Sequence, residues 1–165
     1  MFINPKQAID EGWLRGIDPG DVQPNAVDIA VDGLYEVDKT KDFALLKESK
    51  SHRGVNEVHS QDDTWYLDPG HAYDFTSPSY VEVPKGVVGW LVTRSTLNRN
   101  GVFVLSGLYD SGFKGHLCGV LYNLVGTTTM EVGSRVAQFI MAHSDSVGVY
   151  SGGYNIKEGQ VWHGK

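Results

Sequence analysis

The chain lacks what several large protein classes require. It has one cysteine in 165 residues, which excludes an internal disulfide framework and a cysteine-built zinc site. No apolar run approaches the ~18 residues of a membrane span, and Met1 to Asp10 holds no apolar stretch of the secretory kind. Basic residues are scarce: 14 Lys plus Arg against 20 Asp plus Glu give a net charge of -6, the wrong sign for a protein that coats nucleic acid. There is no Gly-x-x-x-x-Gly-Lys phosphate loop and no His-Glu-x-x-His pair. The histidines, at 52, 59, 71, 116, 143 and 163, show no metal-ligand spacing. The expectation is a soluble intracellular domain with no nucleic-acid and no membrane partner.

Glycine is abundant, at 20 of 165 residues, against a usual ~7%. That points to many turns and short strands. Asn4-Pro5 opens a short helix that Gly12 closes, with Asn4 as N-cap and Pro5 in the first turn. Val27, Ile29 and Val31 alternate as a strand does. Residues 38–64 are polar and charged and read as a surface excursion, with a loose hairpin as one form of it. Strands are then expected at Trp65–Leu67, Tyr80–Val83, Val87–Thr93, Gly101–Leu105, His116–Asn123 and Arg135–Ala142. Short strands at this spacing, with no helices between them, read as a sandwich, barrel or jelly roll. Charge is uneven. Residues 1–93 carry 8 basic and 16 acidic side chains, residues 94–165 carry 6 and 4, so an anion is better received in the second half. A solvated acidic surface explains most of the asymmetry.

Three segments depart from ordinary strand filler. Arg94-Ser95-Thr96, with Arg99 and Gly101, sets guanidinium forks and hydroxyls just after an apolar strand. Such groups suit phosphate oxygens, and the segment reads equally as a polar turn. Gly107-Leu108-Tyr109-Asp110-Ser111-Gly112-Phe113-Lys114-Gly115 flanks an aspartate with glycines. Backbone can approach a ligand closely there, and Asp110 can orient a water as general base or merely cap its own turn. Gly133-Ser134-Arg135-Val136-Ala137-Gln138 is a turn entering a strand. Cys118 reads as a small core residue in a buried strand rather than a nucleophile.

Together and in this order, these segments resemble four motifs of the dUTPase and dCTP deaminase superfamily. Gln23-Pro24-Asn25-Ala26-Val27-Asp28-Ile29 is similar to the first motif in its deaminase form, and Ala8–Leu14 to the deaminase N-terminus. The other three segments resemble the second, third and fourth motifs. The resemblance implies an all-β fold: a distorted jelly roll, or β-clip barrel, with a short N-terminal helix. It further implies a domain over 1–150 with a tail at 151–165, and a homotrimer with interfacial active sites. The ligand would be a deoxypyrimidine nucleoside triphosphate with Mg²⁺, the metal held through the substrate phosphates. By the same resemblance Arg94, Ser95, Thr96 and Gln138 touch phosphates. Gly107, Leu108 and Arg99 lie near the nucleoside, Phe113 packs under the deoxyribose, and Asp110 orients the attacking water. Tyr154, Lys157 and Gln160 would close the tail over the phosphates, the alternative being a disordered terminus. The setting implied is the cytoplasm of a bacterial cell or phage-infected host.

The superfamily runs two chemistries, hydrolysis of dUTP to dUMP and pyrophosphate, and deamination of dCTP. The deaminases resembled here carry a glutamate five residues after the glycine that ends the third motif. In this chain Gly115 is followed by His116-Leu117-Cys118-Gly119-Val120. Val120 moves no proton, and loss of a general acid/base costs a deamination about 10²–10⁴-fold. Hydrolysis of dUTP or a close pyrimidine is therefore the leading expectation. Deamination, with His116 or another acid standing in, is the alternative, and a non-catalytic nucleotide sensor the third.

Overall fold

Alternation of β-branched and aromatic residues with polar ones builds nearly every element. The computed structural model describes residues 1–160, so positions 161–165 of the expected tail lie outside the described residues. In chain order the elements are α1 (Pro5–Asp10), β1 (Leu14–Arg15), a 3₁₀ turn (Pro19–Asp21), β2 (Val27–Ala30), β3 (Gly33–Val37), β4 (Ala44–Leu45), β5 (Lys50–Ser51), β6 (Val55–Glu57), β7 (Thr64–Leu67), β8 (His71–Thr76), β9 (Tyr80–Glu82) and β10 (Val87–Thr93). There follow α2 (Ser95–Arg99), β11 (Val102–Leu105), β12 (Lys114–His116), β13 (Gly119–Asn123), β14 (Thr128–Glu131) and β15 (Arg135–His143). The Asn4 side chain accepts from the Lys6 amide and caps α1.

All strand pairs are antiparallel. A five-stranded sheet runs β11-β13-β8-β3-β6, and three-stranded sheets run β10-β15-β2 and β1-β9-β12. Tyr73 and Phe75 of β8, Leu121 of β13 and Leu34 of β3 meet Val27, Ile29, Leu91, Phe139 and Met141 in one core. This is the expected jelly-roll arrangement. The other face of the β10-β15 pair is open and apolar. Val88, Trp90 and Val92 stand opposite Ala142, Ile140 and Gln138, and Phe2 lies 6.1 Å from Trp90 between ring centroids.

Two details differ from the sequence reading, while the 38–64 excursion takes the hairpin form it allowed. The expected strand His116–Asn123 is two strands in different sheets, β12 against β9 and β13 against β8. The break falls at Leu117-Cys118, where the Leu117 amide leaves for the Ser79 carbonyl. The polar turn after β10 is the short helix α2, its first turn carrying Ser95 and Thr96. The 38–64 excursion holds the β4-β5 hairpin, and β6 adds to the edge of the large sheet. A tight turn follows at Asp62-Asp63, both left-handed at φ 48° and 56°, as such hairpin turns demand.

Candidate active site

The third-motif segment is a hairpin tied down on two sides. Tyr109 exchanges both backbone hydrogen bonds with Gly89 of β10, and the Gly112 amide and Phe113 carbonyl bond Val83. Gly112 turns the tip at φ +86°, a conformation that disfavours any side chain. A side chain at Gly115 would come within 2.9 Å of the Phe113 ring, so the glycine leaves room for that ring. Tyr109 faces inward. Its hydroxyl donates to the Cys118 carbonyl at 2.6 Å and accepts from the Cys118 amide at 3.0 Å. Burial pushes this phenol well above its ordinary range, so it stays neutral. Asp110 is exposed on the same hairpin.

Beside the hairpin lies a cavity of about 700 Å³. Gly107, Leu108, Phe113, Asp74, Val120 and Tyr150 line it together with Tyr154 and Ile156 of the tail. The described part of the tail is docked. Its anchors are Tyr150 N to Ser111 O (2.6 Å), Ile156 N to Lys114 O (3.0 Å) and the Tyr80 hydroxyl to Ile156 O (3.1 Å). Lys157 and Gln160 are exposed and joined by a turn hydrogen bond. His116 donates through Nδ1 to the Ser77 carbonyl and accepts at Nε2 from the Gly159 amide. Those partners occupy both nitrogens.

Cys118 corrects the sequence reading. It lies outside any strand and is exposed, opening into this cavity. The surrounding apolar walls, helped by the Asp74 charge, push its thiol up to about 11. It is therefore a thiol, not a thiolate, at neutral pH. Val120 is half-exposed and lines the same cavity.

Arg94, Ser95, Thr96, Arg99 and Gln138 lie outside this cavity. Arg94 caps α2 at the end of β10 and lines a second cavity of about 550 Å³ with Leu97, Gly133, Ser134 and Arg135. A β-bulge interrupts the β15 register between Arg135 and Ala137. The Arg94 amide donates to Val136 O, and its guanidinium to Arg135 O at 3.1 Å. Beneath sits Asp28, only 2% exposed. Gln138 Nε2 donates to Asp28 Oδ1 at 3.0 Å, while Arg94 and Arg135 approach Oδ2 at 3.4 and 3.8 Å. Arg135 also pairs with Asp21 at 3.1 Å. Ser95, Thr96 and Arg99 are exposed on α2. The two cavities share no lining residue, so one chain does not unite the second and fourth motifs with the third. Among the described residues no three His, Cys, Asp or Glu side chains gather to hold a metal ion.

A family model described as dCTP deaminase-like matches residues 5–144. The chain belongs to the dCTP deaminase-like family. Named relatives in and around this family divide between two activities. A probable deoxyuridine 5'-triphosphate nucleotidohydrolase of Aeropyrum pernix is 29% identical, over 93% of this chain and 97% of that protein. A dCTP deaminase of Pyrobaculum aerophilum is 27% identical, over 93% and 89%. Among solved structures, the Agrobacterium tumefaciens 2'-deoxycytidine 5'-triphosphate deaminase superposes with a TM-score of 0.66 at 14% identity, covering 85% of this chain. This dCTP deaminase-like chain spans about half (47%) of that protein's length. A dUTPase from Staphylococcus aureus phage phi11, whose structure concerns coordination of a structural Mg(II) ion, gives 0.54 at 15% identity, over 84% and 90%. These likenesses agree on the jelly-roll fold.

Two acidic residues, one buried under Arg94 and one lining the large cavity, escaped the sequence reading. Asp28 stood inside the first motif, and its pairing with Gln138 needs the β2-β15 register. Asp74 belongs to no motif. Its only signal is the alternation of Ala72, Asp74 and Thr76 with buried Tyr73 and Phe75.

Proposed function

We propose that this chain hydrolyses a deoxypyrimidine nucleoside triphosphate, dUTP first, to the monophosphate and pyrophosphate. The observation that carries the reading is Asp110, a carboxylate exposed on a hairpin braced from both sides, whose neighbours Leu108, Tyr109 and Phe113 line the large cavity. The cavity takes base and deoxyribose, with Phe113 under the sugar and Gly107 and Leu108 offering backbone to the base. Asp110 takes a proton from water as the water oxygen bonds to the α-phosphorus. The bridging P–O bond breaks and pyrophosphate leaves with the electron pair.

The cations that would meet the phosphates line the other cavity. In this reading a second copy supplies Arg94, Ser95, Thr96 and Gln138, with Asp28 fixing Arg94 and Gln138 in place. The open apolar face of β10 and β15 suits a contact between copies, in keeping with a homotrimer. Asp21 and Asp28 are engaged by Arg135, Arg94 and Gln138, which fits a Mg²⁺ that keeps most of its waters and rides on substrate phosphates. When bound, Mg²⁺ neutralises phosphate charge. In this reading Tyr154, which lines the cavity, covers the nucleoside, and Lys157 and Gln160 meet the phosphates. Arg99 is exposed on α2 and would serve the neighbouring copy's base.

Deamination of dCTP is the second reading, because the Pyrobaculum relatives carry that name. Val120 at the glutamate position counts against it. Incubation with dUTP, dCTP and dTTP plus Mg²⁺ separates the readings. Pyrophosphate from dUTP supports hydrolysis, ammonia from dCTP supports deamination, and binding without turnover supports a sensor.

A further inference from the structure

Val120 stands where a proton-carrying glutamate is missing, and its cross-strand partner is an acid. In the β13-β8 ladder Val120 lies directly opposite Asp74. Residues opposite one another on one face of an antiparallel pair have Cβ atoms about 4.5–5.5 Å apart. Both line the cavity that holds Gly107, Leu108 and Phe113. Strand alternation sends Tyr73 and Phe75 into the core and leaves Asp74 on the cavity side. Its charge is felt within the cavity, since Asp74 helps to lift the Cys118 thiol.

An ionised carboxylate only accepts hydrogen bonds. The 4-amino group of a cytosine ring donates, whereas the 4-oxo group of uracil only accepts, and Asp and Glu are the usual partners of that amino group. We infer that Asp74 reads position 4 of the base, so that the cavity admits dCTP alongside dUTP and the chain cleaves it to dCMP and pyrophosphate. This rests on the hydrolytic reading above and names its substrate class. The C4–N bond is untouched. Water oxygen bonds to the α-phosphorus, the α–β bridging bond breaks, and the proton passes to Asp110.

The test is product analysis with dCTP and dUTP, each with Mg²⁺, on the wild type and two variants. Wild type should release dCMP and pyrophosphate from dCTP without ammonia. Asp74→Ala removes the acceptor and should lower the ratio of kcat/KM for dCTP to that for dUTP by about tenfold to a hundredfold. Asp74→Asn keeps the side-chain shape, guarding against a folding defect, and should shift the same ratio toward dUTP. The inference is overturned if dUTP is cleaved while dCTP is not, whether or not dCTP inhibits. An unchanged ratio in both folded variants overturns it too. Ammonia from dCTP would make Asp74 a proton carrier and overturn its role as a holding group. Failure to cleave either nucleotide would instead bring down the hydrolytic reading beneath it.

Discussion

Three aspartates show how surroundings decide what a carboxylate does. Asp28 is buried, with an amide and two guanidinium groups about it, and acts as a clamp that holds cations in place. Asp74 lines the large cavity, where it can meet a base. Asp110 is exposed on a braced hairpin and makes no side-chain hydrogen bond or ion pair among the described residues, which leaves it available to water. Asp110→Asn should therefore lower turnover of dUTP by about 10²-fold or more while leaving ground-state binding largely intact. Turnover measured by pyrophosphate release, and affinity measured by calorimetry with a non-hydrolysable dUTP analogue, check both halves. An Asn variant with near wild-type turnover removes Asp110 from the chemistry.

At the scale of elements, Glu82 of β9 joins three strands. It takes Lys114 of β12 at 2.7 Å and Arg15, at the end of β1, at 2.9 Å. Those two cations, Lys114 foremost, hold its carboxyl below the ordinary range. A depressed folded value means that this stabilisation is present above the unfolded carboxylate range and is lost as pH falls through the folded one. Melting temperature followed from neutral to acid pH should therefore fall, and fall less in Glu82→Gln. An equal acid loss in that variant would assign the effect to other groups. Most elements were legible in the sequence, because Val27-Ile29, Tyr80–Val83 and Val87–Thr93 alternate or run apolar as strands must. The break at Leu117-Cys118 was not, since a neighbouring Gly119 alone does not end a strand and the break is set by tertiary bonds, Leu117 to Ser79 and Cys118 to the Tyr109 hydroxyl. Helix α2 was missed because five residues are too few to show a helical period. The four motif segments of the candidate site could be read locally. The Asp74-Val120 pairing could not, because it depends on register between strands some 45 residues apart.

The two cavities of the molecule share no lining residue, and the proposed site draws its two halves from them. If separate copies supply them, two disabled chains should repair one another. Asp110→Asn and Arg94→Ala subunits, each poor alone, should on co-expression restore about a quarter of the sites by random assortment in a closed ring. Activity assays on the purified mixed oligomer check this, and no recovery in mixed trimers would mean that each chain works with its own halves. The single cysteine carries a practical consequence. Because Cys118 opens into the large cavity as a protonated thiol, the protein has a built-in reporter with one attachment point per chain. Alkylation by iodoacetamide should be sluggish at neutral pH and quicken as the solution approaches pH 11, following the thiolate. Nucleotide in the cavity should shield it, so the labelling rate at fixed pH would titrate occupancy without any turnover at all.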